Sequence, residues 1–94
     1  MKFKDTVVLI TGSSRGLGRE MALGFAKEQA KVIINYRSSE KKARELTQMI
    51  NDNWNHSIAI KADVGDITEV EGMFNRIISE YGKIDILINN AAIY

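Results

Sequence analysis

Three glycines, Gly12, Gly16 and Gly18, stand in a Gly-x-x-x-Gly-x-Gly pattern directly behind the apolar run Val7, Val8, Leu9 and Ile10. A backbone that passes from strand to helix within so few residues must turn sharply, and residues lacking Cβ let it approach a ligand closely. The helix that follows aims its free N–H groups and positive dipole end at that ligand, so the pattern suits the binding of phosphate or pyrophosphate. Ser13 and Ser14 can donate hydroxyl hydrogen bonds there or serve the turn. The spacing is not the usual Gly-x-Gly-x-x-Gly, and no Gly-Lys followed by Ser or Thr occurs, which excludes a P-loop.

Other reactive side chains are sparse. His56 stands alone beside Asn55 and reads as a surface residue, because a catalytic base needs a partner to orient it. Asp and Glu are scattered over helix faces without metal-ligand grouping. The absence of cysteine excludes disulfides and thiolate metal sites and fits a cytoplasmic setting. Trp54 reads as a packing residue over the sheet edge. With 45% apolar and 27% charged residues and a net charge of +1, the 94 residues suit one small folded domain, with neither nucleic acid nor a membrane as main partner. The apolar run near the N-terminus falls well short of the roughly 20 residues of a spanning helix, so no targeting or membrane segment is expected.

A frame of alternating elements must hold the glycine turn. Residues 6–11 are continuous and β-branched, as in a strand buried on both faces. Leu17, Met21, Ala22, Phe25 and Ala26 then recur at helical spacing, in a helix expected to end near Gln29. Residues 31–36 give a second strand. Ser38 and Ser39 are helix-cap candidates for a charged helix carrying Ala43, Leu46 and Ile50, which Asn51, Asp52 and Asn53 should break. Residues 57–62 form a third strand. Asp66 to Glu69 resembles a capping box, Val70, Met73, Phe74, Ile77, Ile78 and Tyr81 continue the helical period, Gly82 stops it, and residues 84–89 supply a fourth strand. Helices between strands imply an α/β fold: a Rossmann-type parallel sheet of four strands and three helices in the order 3-2-1-4. The first two helices should lie on one face and the third alone on the other, leaving apolar surface that favours self-association.

The segment from Thr11 to Gly18 resembles the cofactor loop of short-chain dehydrogenases/reductases. Asp63-Val64 matches that family's adenine-contacting acidic position, and Asn89-Asn90-Ala91-Ala92 resembles its Asn-Asn-Ala-Gly motif, with Ala92 in place of the final glycine. Ile10 to Ser14, Lys31-Val32 and Asn35 to Ser38 especially resemble stretches of bacterial 3-oxoacyl-(acyl-carrier-protein) reductases and glucose 1-dehydrogenases. The resemblance implies a dinucleotide cofactor held by Gly12, Ser13, Ser14, Arg15, Gly16, Leu17 and Gly18 and by Asn35, Tyr36, Arg37 and Ser38. It adds Asp63 and Val64, and places Asn90, Ala91 and Ala92 along a ribose while Asn89 holds neighbouring strands.

An NAD-selective site usually carries an acid at the end of the second strand, and none occurs between Glu28 and Glu40. Arg15 and Arg37 are instead expected to converge on a 2′-phosphate, which favours NADP, with NAD compatible through Asn35. The family's chemistry rests on a Ser, a later Asn and a Tyr-x-x-x-Lys pair. Here Tyr36 is followed at that spacing by Glu40 and Tyr81 by Asp85. Residues 1–94 are therefore expected to be a truncated NAD(P)-binding domain, inactive alone. The full-length form is expected to be a homotetramer that reduces a 3-oxoacyl thioester; sugar oxidation and a non-catalytic binding module are the alternatives.

Overall fold

The computed structural model describes residues 2–91. Its Val- and Ile-rich runs form β1 (Val7–Ile10), β2 (Lys31–Tyr36), β3 (Ile58–Lys61) and β4 (Ile86–Ile88), as stiff β-branched side chains suit a pleated surface. The strands are all parallel, in the expected order β3-β2-β1-β4. Central β1 and β2 are almost wholly buried, so they show no apolar alternation, whereas both edge strands are partly open.

Helices α1 (Gly16–Lys27), α2 (Glu40–Asn53) and α3 (Ile67–Tyr81) make the crossovers. Two successive moves in one direction put α1 and α2 on one face, where Ala22, Ala26, Ala43, Leu46 and Ile50 pack on Val8, Ile10, Val32 and Ile34. The move back past β1 puts α3 on the other, with Met73 and Ile77 against Val7, Leu9, Ile33 and Ile60. That cover is partial: Ile78 is 49% and Leu87 46% exposed. The strand order reverses between β1 and β4, and in such sheets the crevice beyond the strand ends at the reversal is where ligands bind.

Several boundaries differ from the pattern. Helix α1 stops at Lys27, because Gln29 takes a left-handed φ of 66°. Asn51, Asp52 and Asn53 do not break α2. Their side chains bond away from the helix backbone or back onto its preceding turn, Asn51 exchanging two hydrogen bonds with the Ser57 main chain and Asn53 donating to Met49 O. Of the two cap candidates, Ser39 occupies the N-cap of α2, without a side-chain cap bond. The expected capping box is one-sided. Asp66 accepts from Thr68 and Glu69 N–H, while the Glu69 carboxylate accepts from Asp63 N–H. Gly82, at φ 80°, ends α3 as anticipated.

Asp85 ties β4 to the start of β1. Its carboxylate accepts from Val7 N–H at 2.8 Å, and its own N–H donates to Val7 O at 2.9 Å. The Val7 N–H, with Lys83, holds this carboxyl below its ordinary value of 3.8. A depressed folded-state value means that the contribution is present above the unfolded pKa, near about 3.9, and is lost as pH falls below it. Asp85→Ala should therefore lower stability at neutral pH and flatten its acid dependence. Urea melts at pH 6 and pH 3 check this, and equal acid losses in parent and variant would contradict it.

Candidate functional site

The glycine turn leaves β1 at the strand-order reversal and is anchored from two sides. Toward β4, Thr11 Oγ1 accepts from the N–H groups of Asn90 and Ala91, each at 3.0 Å, and Asn90 Nδ2 donates to Gly12 O at 3.0 Å. Toward β2, Asn35 Oδ1 accepts from Gly12 N–H at 3.0 Å, while its Nδ2 donates to Ile60 O and Ala62 O. Ser13 Oγ donates to Ile10 O and accepts from Asn35 N–H. Gly12 and Gly16 have φ of 59° and 61°, a region glycine enters without strain. At Gly18 a Cβ would lie 2.5 Å from Gly12 O and 2.6 Å from Asn90 Nδ2, so the turn, α1 and the segment after β4 meet with no room for a methyl group.

The first turn of α1 is open to an anion. Arg15 is its N-cap, with no side-chain cap bond and no acid in the first turn, unlike α3 with its Asp66 cap. Ser14, Arg15 and Gly16 line a cleft of about 550 Å³ toward α2, together with Arg19, Lys42 and Glu45. Leu17 projects outward, 70% exposed. Thr11, Val64, Leu87, Asn89 and Ala91 border a second cleft of about 500 Å³ on the α3 side.

Several predicted contacts are placed elsewhere. The Ser13 and Asn35 side chains are buried and bonded within the protein, so they brace the turn instead of facing a ligand. Tyr36 is buried among α1 and α2 residues, and its hydroxyl donates to Glu40; burial first, then Glu40, pushes the phenol above its ordinary 10.0. Arg37 does not line the cleft that Arg15 borders. Its guanidinium pairs with Asp63 at 3.6 Å, since the parallel register that sets Tyr36 beside Lys61 carries both residues out at adjacent strand ends. Ser38 is exposed just beyond. Asn90, not Asn89, holds the neighbouring strand end, and Asn89 is exposed. Ala92 lies outside the described residues.

His56 is not alone: its Nδ1 lies 2.7 Å from the Tyr81 hydroxyl, whose pKa burial and then Glu80 push up to about 12. This pair sits where β3 begins and α3 ends, at the opposite end of the parallel strands from the turn. Trp54 packs against the core on the α1 and α2 side. Among the described residues no cluster of His, Cys, Asp or Glu could hold a metal, and no helix is long and apolar enough to cross a membrane. The sequence reading did not single out Arg19, one turn beyond Arg15 on α1, or Lys42, which only the packing of α2 beside α1 brings to this cleft.

A family model described as short chain dehydrogenase matches residues 6–94. A 3-oxoacyl-(acyl-carrier-protein) reductase of Staphylococcus aureus is 42% identical over 85 residues, which are 90% of this chain and 35% of that protein. A short chain dehydrogenase from Burkholderia cenocepacia, crystallised in complex with NADP, superposes with a TM-score of 0.94 at 34% identity, covering 100% of this chain and 38% of its own. A blue fluorescent protein from a metagenomic library, in complex with NADPH, gives a TM-score of 0.93 at 29% identity over 100% of this chain and 39% of its own. The chain thus spans little more than a third of the length of these relatives.

Proposed function

The chain belongs to the short chain dehydrogenase family, and on that premise we propose that it is the dinucleotide-binding part of an oxidoreductase that uses NADP. The observation that carries this reading is the bare junction at Gly18, where even a methyl group would collide, beside a helix end without a side-chain cap bond among the described residues. The backbone from Gly12 to Gly18, with Ser14 and Arg15, would hold the pyrophosphate. Asp63 and Val64 would border the adenine, and Asn90, Ala91 and Ala92 the nicotinamide-side ribose. Arg15 supplies positive charge for a 2′-phosphate, and the end of β2, where NAD-selective sites carry an acid, holds Arg37 and Ser38 instead.

Bound there, the dinucleotide supplies hydride chemistry at its nicotinamide ring; the residues of this chain bind and orient it. Neither Tyr36, held in the core, nor Tyr81, bonded to His56 at the far end of the strands, is placed to pass a proton to a substrate beside the turn. Reduction of a 3-oxoacyl thioester is the reaction we assign to the whole enzyme, supported by the Staphylococcus aureus reductase. The cytoplasm suits a cysteine-free protein of this kind.

Titrating the chain with NADPH and NADH by fluorescence, alongside an assay for NADPH oxidation with a 3-oxoacyl thioester, tests the reading. Saturable binding, about tenfold tighter for NADPH, without turnover is expected. Failure to bind either dinucleotide would overturn the binding role, and turnover by these 94 residues would overturn the division of labour.

A further inference from the structure

We propose that Lys42, acting with Arg15, is the residue that selects a dinucleotide bearing a 2′-phosphate; this inference rests on the dinucleotide-binding reading above. The cleft between the start of α1 and α2 is lined by Arg15, Arg19 and Lys42 against a single carboxylate, Glu45. Arg19 leans on Glu20 at 3.5 Å, whereas Arg15 and Lys42 have no ion-pair partner among the described residues. Ser14, only 6% exposed, lines the same cleft, and no buried side-chain polar atom is left without a partner among the described residues, so its hydroxyl is not a stranded group. What Ser14 adds to the cleft is a neutral hydroxyl donor beside the two cations.

The chemistry fits a phosphate monoester. Such a group carries close to two charges near neutral pH and offers three acceptor oxygens, so it calls for more than one cation and for neutral donors beside them. Arg15, Lys42 and the Ser14 hydroxyl meet that demand at an uncapped helix end. Ser14, Arg15 and Gly16 belong both to the glycine turn and to this cleft, so an anion here is contiguous with one on the turn. Arg37, the cation at the customary position after β2, does not line the cleft and is paired with Asp63.

Dissociation constants for NADPH and NADH, measured by calorimetry or fluorescence on the parent, Lys42→Ala, Lys42→Arg and Arg37→Ala chains, test this. Lys42 is exposed, so its variants should keep the parent's circular dichroism. Lys42→Ala should weaken NADPH by about tenfold, as expected for one charge-assisted bond, and leave NADH within about twofold. Lys42→Arg should restore most of the loss, and Arg37→Ala should weaken NADPH less than Lys42→Ala does. An NADPH preference that survives Lys42→Ala but is lost in Arg37→Ala would overturn the inference while leaving the cofactor reading intact. A parent that binds neither dinucleotide, or both equally, would overturn the two together.

Discussion

Asn35→Ala should destabilise the chain by about 3 kcal/mol and loosen its grip on a dinucleotide, although Asn35 touches none of the cleft at the helix end. The side chain is 1% exposed and closes three hydrogen bonds: it accepts from Gly12 N–H and donates to the carbonyls of Ile60 and Ala62. Truncation takes this partner from Gly12 N–H and Ala62 O, each worth about 1–3 kcal/mol when left buried and unpaired, and removes a second bond from Ile60 O, which the register with Tyr36 keeps in the sheet ladder. Water reaching the gap and relaxation of the half-open edge strand β3 return part of that loss. Asn35→Asp should be no better, because the carboxylate keeps the bond to Gly12 yet faces two carbonyl oxygens and buries a charge without a cation partner. Urea denaturation measures the first effect and dinucleotide titration the second. A loss below about 1 kcal/mol would show that the turn is held by something other than this brace.

Asn35 and Ser13 brace the turn through bonds that their residue types alone do not announce. Polar residues at a strand end beside a glycine turn look like ligands for whatever the turn binds, and Asn35 and Ser13 both carry groups that could serve. A signal against that reading was present: Asn35 lies within Val32, Ile33, Ile34 and Tyr36, a run buried on both faces, where a polar side chain must find backbone partners. The pairing of Arg37 with Asp63 was also within reach, because the order 3-2-1-4 makes the ends of β2 and β3 neighbours. The strand order, the sides taken by the helices and the position of the turn were legible because each follows from hydrophobic period and crossover handedness.

What periodicity does not carry is the meeting of one helix with another. Lys42 and Arg15 come together only through the packing of α2 beside α1, and no spacing in the chain encodes that distance. The extent of burial is likewise tertiary. The α3 stripe pointed to the correct face, yet only Met73 and Ile77 of it are fully buried, because one helix cannot cover the sheet that two helices cover on the other side. The run of Asn51, Asp52 and Asn53 misleads for a related reason: such side chains end helices by bonding local backbone, and here Asn51 finds the main chain of Ser57 instead.

Gly18→Ala and Gly24→Ala should have opposite signs, although both place the same methyl group in α1. On propensity alone each would stabilise the helix by up to about 1 kcal/mol, since alanine restricts the unfolded chain and suits a helix interior. Gly24 is exposed, with nothing within 4 Å of an added Cβ, so that gain should be realised. At Gly18 the new Cβ meets Gly12 O at 2.5 Å and Ser13 Cα at 2.9 Å, both backbone atoms that no side-chain rotation can move. The third neighbour, Asn90 Nδ2 at 2.6 Å, is fixed by its bond to Gly12 O. Relief therefore requires α1 to back away from the turn, and overpacking of this kind costs about 1–3 kcal/mol, enough to reverse the propensity gain. The larger effect falls on binding. The N–H groups at the start of α1 and the glycine turn can share one phosphate only while they stay in register, and a displacement approaching 1 Å should lower dinucleotide affinity by about a hundredfold. Thermal melts and NADPH titrations of the two variants decide it: equal stabilisation, with unchanged affinity in Gly18→Ala, would mean that the junction yields easily and that its bareness does not serve the cofactor.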